Sequence, residues 1–163
     1  MSGTDGRTGV PALREALGGA AEVEVHPFDP ERACADYAEE GYQVTDRLRE
    51  FLAAWGGLTV TWRFRGAETA LTTATEPTLE STHAFPRSVG IWSRRLGQQV
   101  ALVGTAFGTE EALLLAEDGD VLLVGDAGFQ RVGHGFAEAV RRLVAADYDR
   151  TFFWPDPPAP AAG

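Results

Sequence analysis

The stretch from Leu48 to Gly57 constrains this chain more than any other. Leu48, Phe51, Leu52 and Trp55 recur at i, i+3, i+4 and i+7, the spacing that puts four apolar side chains on one face of an α-helix. Thr45 stands where an N-cap is needed, with a side-chain oxygen for the first-turn N–H groups. Gly56-Gly57 then ends the helix, and the period of the pattern drops to two. Leu58, Val60, Trp62 and Phe64 alternate with Thr59, Thr61, Arg63 and Arg65, which predicts a strand with one apolar and one wet face. The junction predicts a helix that anchors a sheet, with Trp55 as the buried contact.

The rest of the chain extends this plan. Pro11 suits a first helical turn, and Val10, Leu13 and Leu17 share a face before Gly18-Gly19. A short extended piece over 23–26 leads to Asp29-Pro30, an N-cap and N1 pair for a helix carrying Ala33, Cys34, Tyr37 and Ala38, stopped at Gly41. Beyond Arg65, a turn over 66–68 leads to a strand at 69–73, a helix follows at 88–96, and a further strand at 100–103. Two apolar runs, 112–116 and 121–124, flank Glu117-Asp118-Gly119-Asp120, and Asp-Gly there predicts a type I′ hairpin turn with Asp118 in the left-handed region. A turn at 126–128 and a strand at 129–132 precede a closing helix over 135–146. The expected fold is α+β: N-terminal helices, a mainly antiparallel or mixed sheet of about five to six strands, and a closing C-terminal helix. Residues 1–9 read as a flexible N-terminus, 10–154 as a single domain, and the Pro- and Ala-rich 155–163 as a disordered tail.

Composition narrows the chemistry. The chain has 163 residues and one cysteine, Cys34, so no internal disulfide is available. No apolar run has the roughly 18 residues a membrane helix needs, and the N-terminus lacks a basic start and an apolar core, so a cytoplasmic protein is expected. There is no Lys and no Asn, which removes a P-loop lysine, a Schiff-base lysine and a Cys-His-Asn site. The formal net charge is −10, with −6 carried by residues 1–60 and −5 by 111–163. An acidic domain repels nucleic-acid phosphates and attracts a basic protein partner.

No catalytic constellation emerges. His26, His83 and His134 lie in separate segments without ligand spacing, so no metal or cofactor is expected. Asp118, Asp120 and Asp126 lack the remaining ligands of a calcium loop and read as turn residues. Glu110 and Glu111 read as charged flanks of a buried strand, since neighbours on a strand point to opposite faces and do not form a glycosidase pair. Cys34 sits on an apolar helix face and reads as a buried structural thiol. The glycines at 125, 128, 133 and 135 do not spell a dinucleotide fingerprint. Trp62, Trp92 and Trp154, the last beside Phe152 and Phe153, fall near edges or loops, where large aromatics serve either the core or an interface.

Four segments in order, LREFLAAWGGLTV at 48–60, GTAFG at 104–108, LLLAEDGD at 113–120 and GHGFAEA at 133–139, together resemble the SUKH superfamily and its third branch. The resemblance spans about residues 28–153. It implies an α+β immunity protein, without catalytic residues, that binds and neutralises a toxin of a bacterial polymorphic toxin system. Such toxins are often nucleases or nucleic-acid deaminases, and occlusion of the active or nucleic-acid-binding surface is the implied mode. Trp55, Gly56, Gly57 and Gly119 are then scaffold positions. The toxin contact is expected at Glu110, Glu111, Asp118, Asp120 and Asp126, opposite a basic surface, with a monomer as the default state. The alternative is a non-catalytic regulatory or scaffolding domain of the same superfamily.

Overall fold

The computed structural model describes residues 7–108 and 110–154. Helix α1 (Val10–Leu17) carries the expected Val10, Leu13 and Leu17 inward. Helix α2 (Pro30–Glu39) is capped by Asp29, whose carboxylate accepts from the Glu31 N–H at 3.0 Å. Helix α3 (Asp46–Trp55) is capped by Thr45, whose Oγ1 accepts from the Leu48 N–H at 3.1 Å. Leu48, Phe51 and Leu52 are buried, while Trp55 is only partly so, its ring 5.0 Å from that of Phe136. Trp55 thus supports the edge of the core and is not its centre.

Gly57 adopts φ +73°, the left-handed region that lets the chain leave the helix and enter strand β2 (Leu58–Phe64). The sheet has seven strands where five to six were expected, and every neighbouring pair is antiparallel, in the simple order β1 to β7. The additional strand is β1 (Ala21–Val25), where only a short extended piece over 23–26 was expected, and it pairs with β2 from Ala21↔Trp62 to Val25↔Leu58. Its AEVEV sequence lies on a sheet edge with Glu22 and Glu24 exposed, so it carries little of the apolar signal that marks a buried strand. After β3 (Ala67–Thr72), the chain makes a short helix α4 (Thr75–Leu79), not foreseen from the sequence, and helix α5 (Pro86–Leu96). Strand β4 (Val100–Ala106) follows, and Gly104 lies so close to the Thr72 carbonyl that any Cβ would overlap it.

Strands β5 (Glu111–Ala116) and β6 (Asp120–Gly125) are buried from Ala112 to Ala116 and from Val121 to Gly125. That explains why their apolar runs are continuous and not alternating: both faces are covered. The turn between them differs from the sequence reading. Gly119 has φ +98°, but Asp118 does not have positive φ, so the loop 117–119 is not type I′. A three-residue loop with glycine in the left-handed position forms instead, and Asp118 serves by accepting the Asp120 N–H at 2.9 Å. The two-residue turn with both residues at positive φ is Arg65-Gly66, between β2 and β3.

Strand β7 (Gly128–His134) leads into α6 (Phe136–Ala145), whose Phe136 meets Phe51 edge-on at 5.1 Å. The C-terminal segment returns to the outer edge of β7, where Phe129 and Phe153 exchange two backbone hydrogen bonds of 2.8 and 2.9 Å. Expectations for residues 1–6 and 155–163 lie outside the described residues. No helix among the described residues is long and apolar enough to cross a membrane.

Candidate protein-binding surface

An antiparallel meander sends alternate turns to opposite ends of its sheet, and this separates the five acids singled out above. Glu110, Glu111 and Asp126 lie at the end formed by the β4–β5 loop and the β6–β7 turn. Asp118 and Asp120 lie at the other end, on the β5–β6 loop. A six-residue strand rises about 20 Å, so the acids form two patches and not one.

The two patches differ in chemistry. At the Asp118 end the carboxylates are committed to neighbours. Asp118 accepts from the Asp120 N–H at 2.9 Å and from Gln98 Nε2 at 3.2 Å, and the backbone bond holds its carboxyl below the usual range. The Asp120 side chain is 20% exposed and accepts from Arg131 Nε at 2.9 Å and from His134 Nδ1 at 3.0 Å. That bond to Asp120 raises the His134 pKa above the ordinary value. Glu138, in the first turn of α6, accepts the His134 N–H at 3.1 Å and is held low by it. Cross-strand pairing of β6 with β7 places Asp120 opposite His134, so this network ties the hairpin to α6.

At the Glu111 end the carboxylates are largely free of such ties. Asp126 is 99% exposed, with His83 Nδ1 at 3.5 Å. The Glu111 side chain lies over Gly125, so close that a Cβ there would come within 3.0 Å of its Cγ. No hydrogen bond or ion pair holds the Glu111 carboxylate among the described residues. Burial pushes its pKa up, His83 opposes the shift and Glu110 adds to it. Glu110 stands in the loop before β5 and not in a strand. Strand alternation therefore does not separate it from Glu111, and both line one groove.

That groove, of about 910 Å³, runs between the β2–β3 hairpin, the β4–β5 loop and the C-terminal segment. Its aromatic lining is Phe64, Phe107, Tyr148 and Phe152, with Phe152 49% exposed. Phe107 holds φ +54°, a conformation that costs a non-glycine residue about 1–2 kcal/mol. Its ring is wedged against Phe64 at 5.0 Å and Trp62 at 5.9 Å. Strained residues fixed by their surroundings concentrate at functional sites. The guanidinium of Arg65 sits 5.1 Å over Phe64 and that of Arg150 5.2 Å over Tyr148. Aromatics, arginines and a charged rim are the composition of a protein interface.

The sequence reading missed Phe64, Phe107, Tyr148 and Arg150 as lining residues, because the end of β2, the β4–β5 loop and the C-terminal segment bring them together from distant parts of the chain. The one signal in the chain was Phe107 within GTAFG, a bulky residue between glycines. Among the described residues no group of three or more His, Cys, Asp or Glu is placed to hold a metal ion.

The chain matches the SUKH-3 immunity protein family over residues 29–146. The match runs from the Asp29 cap to the end of α6 and contains both acidic ends, while Tyr148, Arg150 and Phe152 lie beyond it. No curated protein and no solved structure gives a significant match.

Proposed function

The chain belongs to the SUKH-3 immunity protein family, and from that premise we propose that it protects its cell by binding a cognate protein toxin and covering the toxin's working surface. The family match over residues 29–146 carries the reading. The toxin class we propose is a nuclease or nucleic-acid deaminase of a polymorphic toxin system. An enzyme acting on nucleic acid presents a basic surface, and a chain of net charge −10 is suited to occupy it. The immunity protein acts as a non-catalytic monomer in the cytoplasm, where the toxin would otherwise reach its substrate, and itself binds no nucleic acid.

The contact falls at the end of the sheet that carries Glu110, Glu111 and Asp126. There the carboxylates remain available, whereas Asp118 and Asp120 are occupied by Gln98, Arg131 and His134. Co-expression with the toxin domain encoded beside it tests the function: wild-type chain restores growth, and purified chain forms a stoichiometric complex. Growth arrest with no complex overturns it. A stable complex with a non-toxin protein instead favours a regulatory or scaffolding role. Stopped-flow association at two ionic strengths tests the contact. Joint Glu110→Gln, Glu111→Gln and Asp126→Asn slows association about tenfold or more at low salt and flattens its salt dependence. Asp118→Asn leaves the rate unchanged.

A further inference from the structure

We propose that the groove between Phe64, Phe107, Tyr148 and Phe152 receives one cationic side chain, an arginine or lysine, presented between apolar neighbours on a protruding loop of the partner protein. The toxin reading supplies only the identity of that partner. The groove has aromatic walls and a carboxylate, Glu111, that no hydrogen bond or ion pair holds among the described residues. Glu111 is partly buried beside the like charge of Glu110, and both raise its pKa while His83 opposes them. The two arginines of the groove are otherwise engaged. Arg65 lies over the Phe64 ring and donates nothing to Glu111, while Arg150 lies over Tyr148 and donates to the Ala146 carbonyl at 3.0 Å.

Charge complementarity selects the occupant. An anionic loop would face Glu110 and Glu111 in a partly desolvated setting and be rejected. A wholly apolar loop would cover Glu111 without pairing it, which is strongly unfavourable for a carboxylate. A guanidinium or ammonium pairs with Glu111 and at the same time lies against aromatic faces that favour cations. Apolar side chains on either side of it fill the remaining length of a groove of about 910 Å³. The wall formed by Tyr148, Arg150 and Phe152 lies outside the family match, so part of the receptor comes from beyond the matched segment.

Two capped tripeptides, acetyl-Leu-Arg-Leu-amide and acetyl-Leu-Glu-Leu-amide, titrated into the full ¹⁵N-labelled chain, test this without the toxin. The Arg peptide is expected to shift the amide resonances of Phe107, Glu111, Gln130 and Tyr148, and the Glu peptide to leave them in place. Glu111→Gln weakens the Arg peptide about fivefold with thermal unfolding retained, and Asp118→Asn does not. Equal responses to both peptides, or shifts centred elsewhere, overturn the proposal. So does a response that appears only after removal of residues 155–163, which gives the groove to the chain's own end, or self-association that moves the same resonances. With the toxin domain, Glu111→Gln and Phe152→Ala should each weaken the complex at least about tenfold. An undiminished complex overturns the groove, whereas peptide binding without any toxin complex removes the functional reading and leaves the groove standing.

Discussion

Replacing Gly57 by alanine should destabilise the protein by about 2–4 kcal/mol, and the structure separates the sources of that loss. The first is backbone conformation: φ of +73° costs an L-residue about 1–2 kcal/mol. The second is space: a Cβ on Gly57 would lie 2.8 Å from the Cβ of Phe28, whose ring packs against the core. Overpacking of this kind costs about 1–3 kcal/mol. Reduced freedom of the unfolded chain returns about 0.4–1 kcal/mol. Two other glycines isolate the components. Gly66 has φ +83° with nothing within 4 Å of an added Cβ, so Gly66→Ala should show the backbone cost alone, about 1 kcal/mol. Gly56 has φ −66°, open to any residue, but its Cβ would overlap the Phe28 ring and lie 2.6 Å from the Leu52 carbonyl oxygen. Gly56→Ala should therefore show the contact cost, about 2–3 kcal/mol.

Equilibrium urea unfolding measures all three, and a loss of 3 kcal/mol corresponds to about 6–12 °C in Tm for a chain of this length. Adding Phe28→Ala to Gly56→Ala, whose Cβ would meet the ring atoms that this alanine removes, should make the pair less destabilising than the sum of the single changes by about 1 kcal/mol or more. Gly57→Ala within about 0.5 kcal/mol of wild type, or Gly56→Ala additive with Phe28→Ala, would refute the close approach of this helix stop to Phe28.

Three further outcomes are expected. Asp120→Asn should return the His134 pKa, read by NMR, toward the ordinary 6.5, because the Asp120 carboxylate is the main cause of its rise. A pKa raised in the folded state contributes stability below the unfolded value and loses it as pH rises through the folded one. Wild type should therefore exceed Asp120→Asn by most in mildly acidic solution and by less above the raised pKa, where His134 is neutral and the Arg131 pair persists. Tyr37→Phe should raise stability by about 1 kcal/mol, since the buried Tyr37 hydroxyl has no partner among the described residues. A loss above about 1 kcal/mol would show that the hydroxyl is satisfied by a buried water. Cys34 is buried and its thiol pKa is raised chiefly by burial, so aromatic disulfide reagents should label it at the rate of unfolding. Labelling as fast as a free thiol in the native protein would contradict that placement.

What the chain shows of its fold is what short-range physics specifies. Asp29 and Thr45 cap where their side-chain oxygens predict, and α3, β2, β5, β6 and α6 stand where periodicity places them. The misses share a cause. β1, expected only as a short extended piece over 23–26 and not as a strand of the sheet, is a half-exposed edge whose pairing depends on β2 as a template, and α4 is a five-residue turn of helix with Pro77 in its first turn. Neither has enough local signal to stand alone. At Asp118-Gly119 the dipeptide correctly marked a hairpin, but the two-residue type I′ form was wrong. Loop length is set by the register of Leu115 with Val121, which brings the strand ends Ala116 and Asp120 together and leaves three residues to span.

The candidate surface was legible in one respect and hidden in another. Net charge pointed to a basic partner, and each acid could be read from the chain, but charge alone treats Asp120 and Glu111 alike. Their difference is made by non-local pairing. β6–β7 registry brings His134 to Asp120, and Arg131 closes the pair, so that carboxylate is spent on holding a hairpin. Glu111 comes to rest over Gly125 with no cation bonded to it among the described residues, in a groove whose aromatic walls come from residues as far apart as Phe64 and Phe152. An acid already paired within its own chain gives little to a partner, because the incoming charge must compete with a neighbour that is already in place. An acid left partly buried and unpaired has most to gain from one. Recognition should therefore follow the unpaired carboxylates and not the density of acids along the chain, which is why Glu111→Gln and Asp118→Asn, equal in charge removed, should differ in their effect on binding.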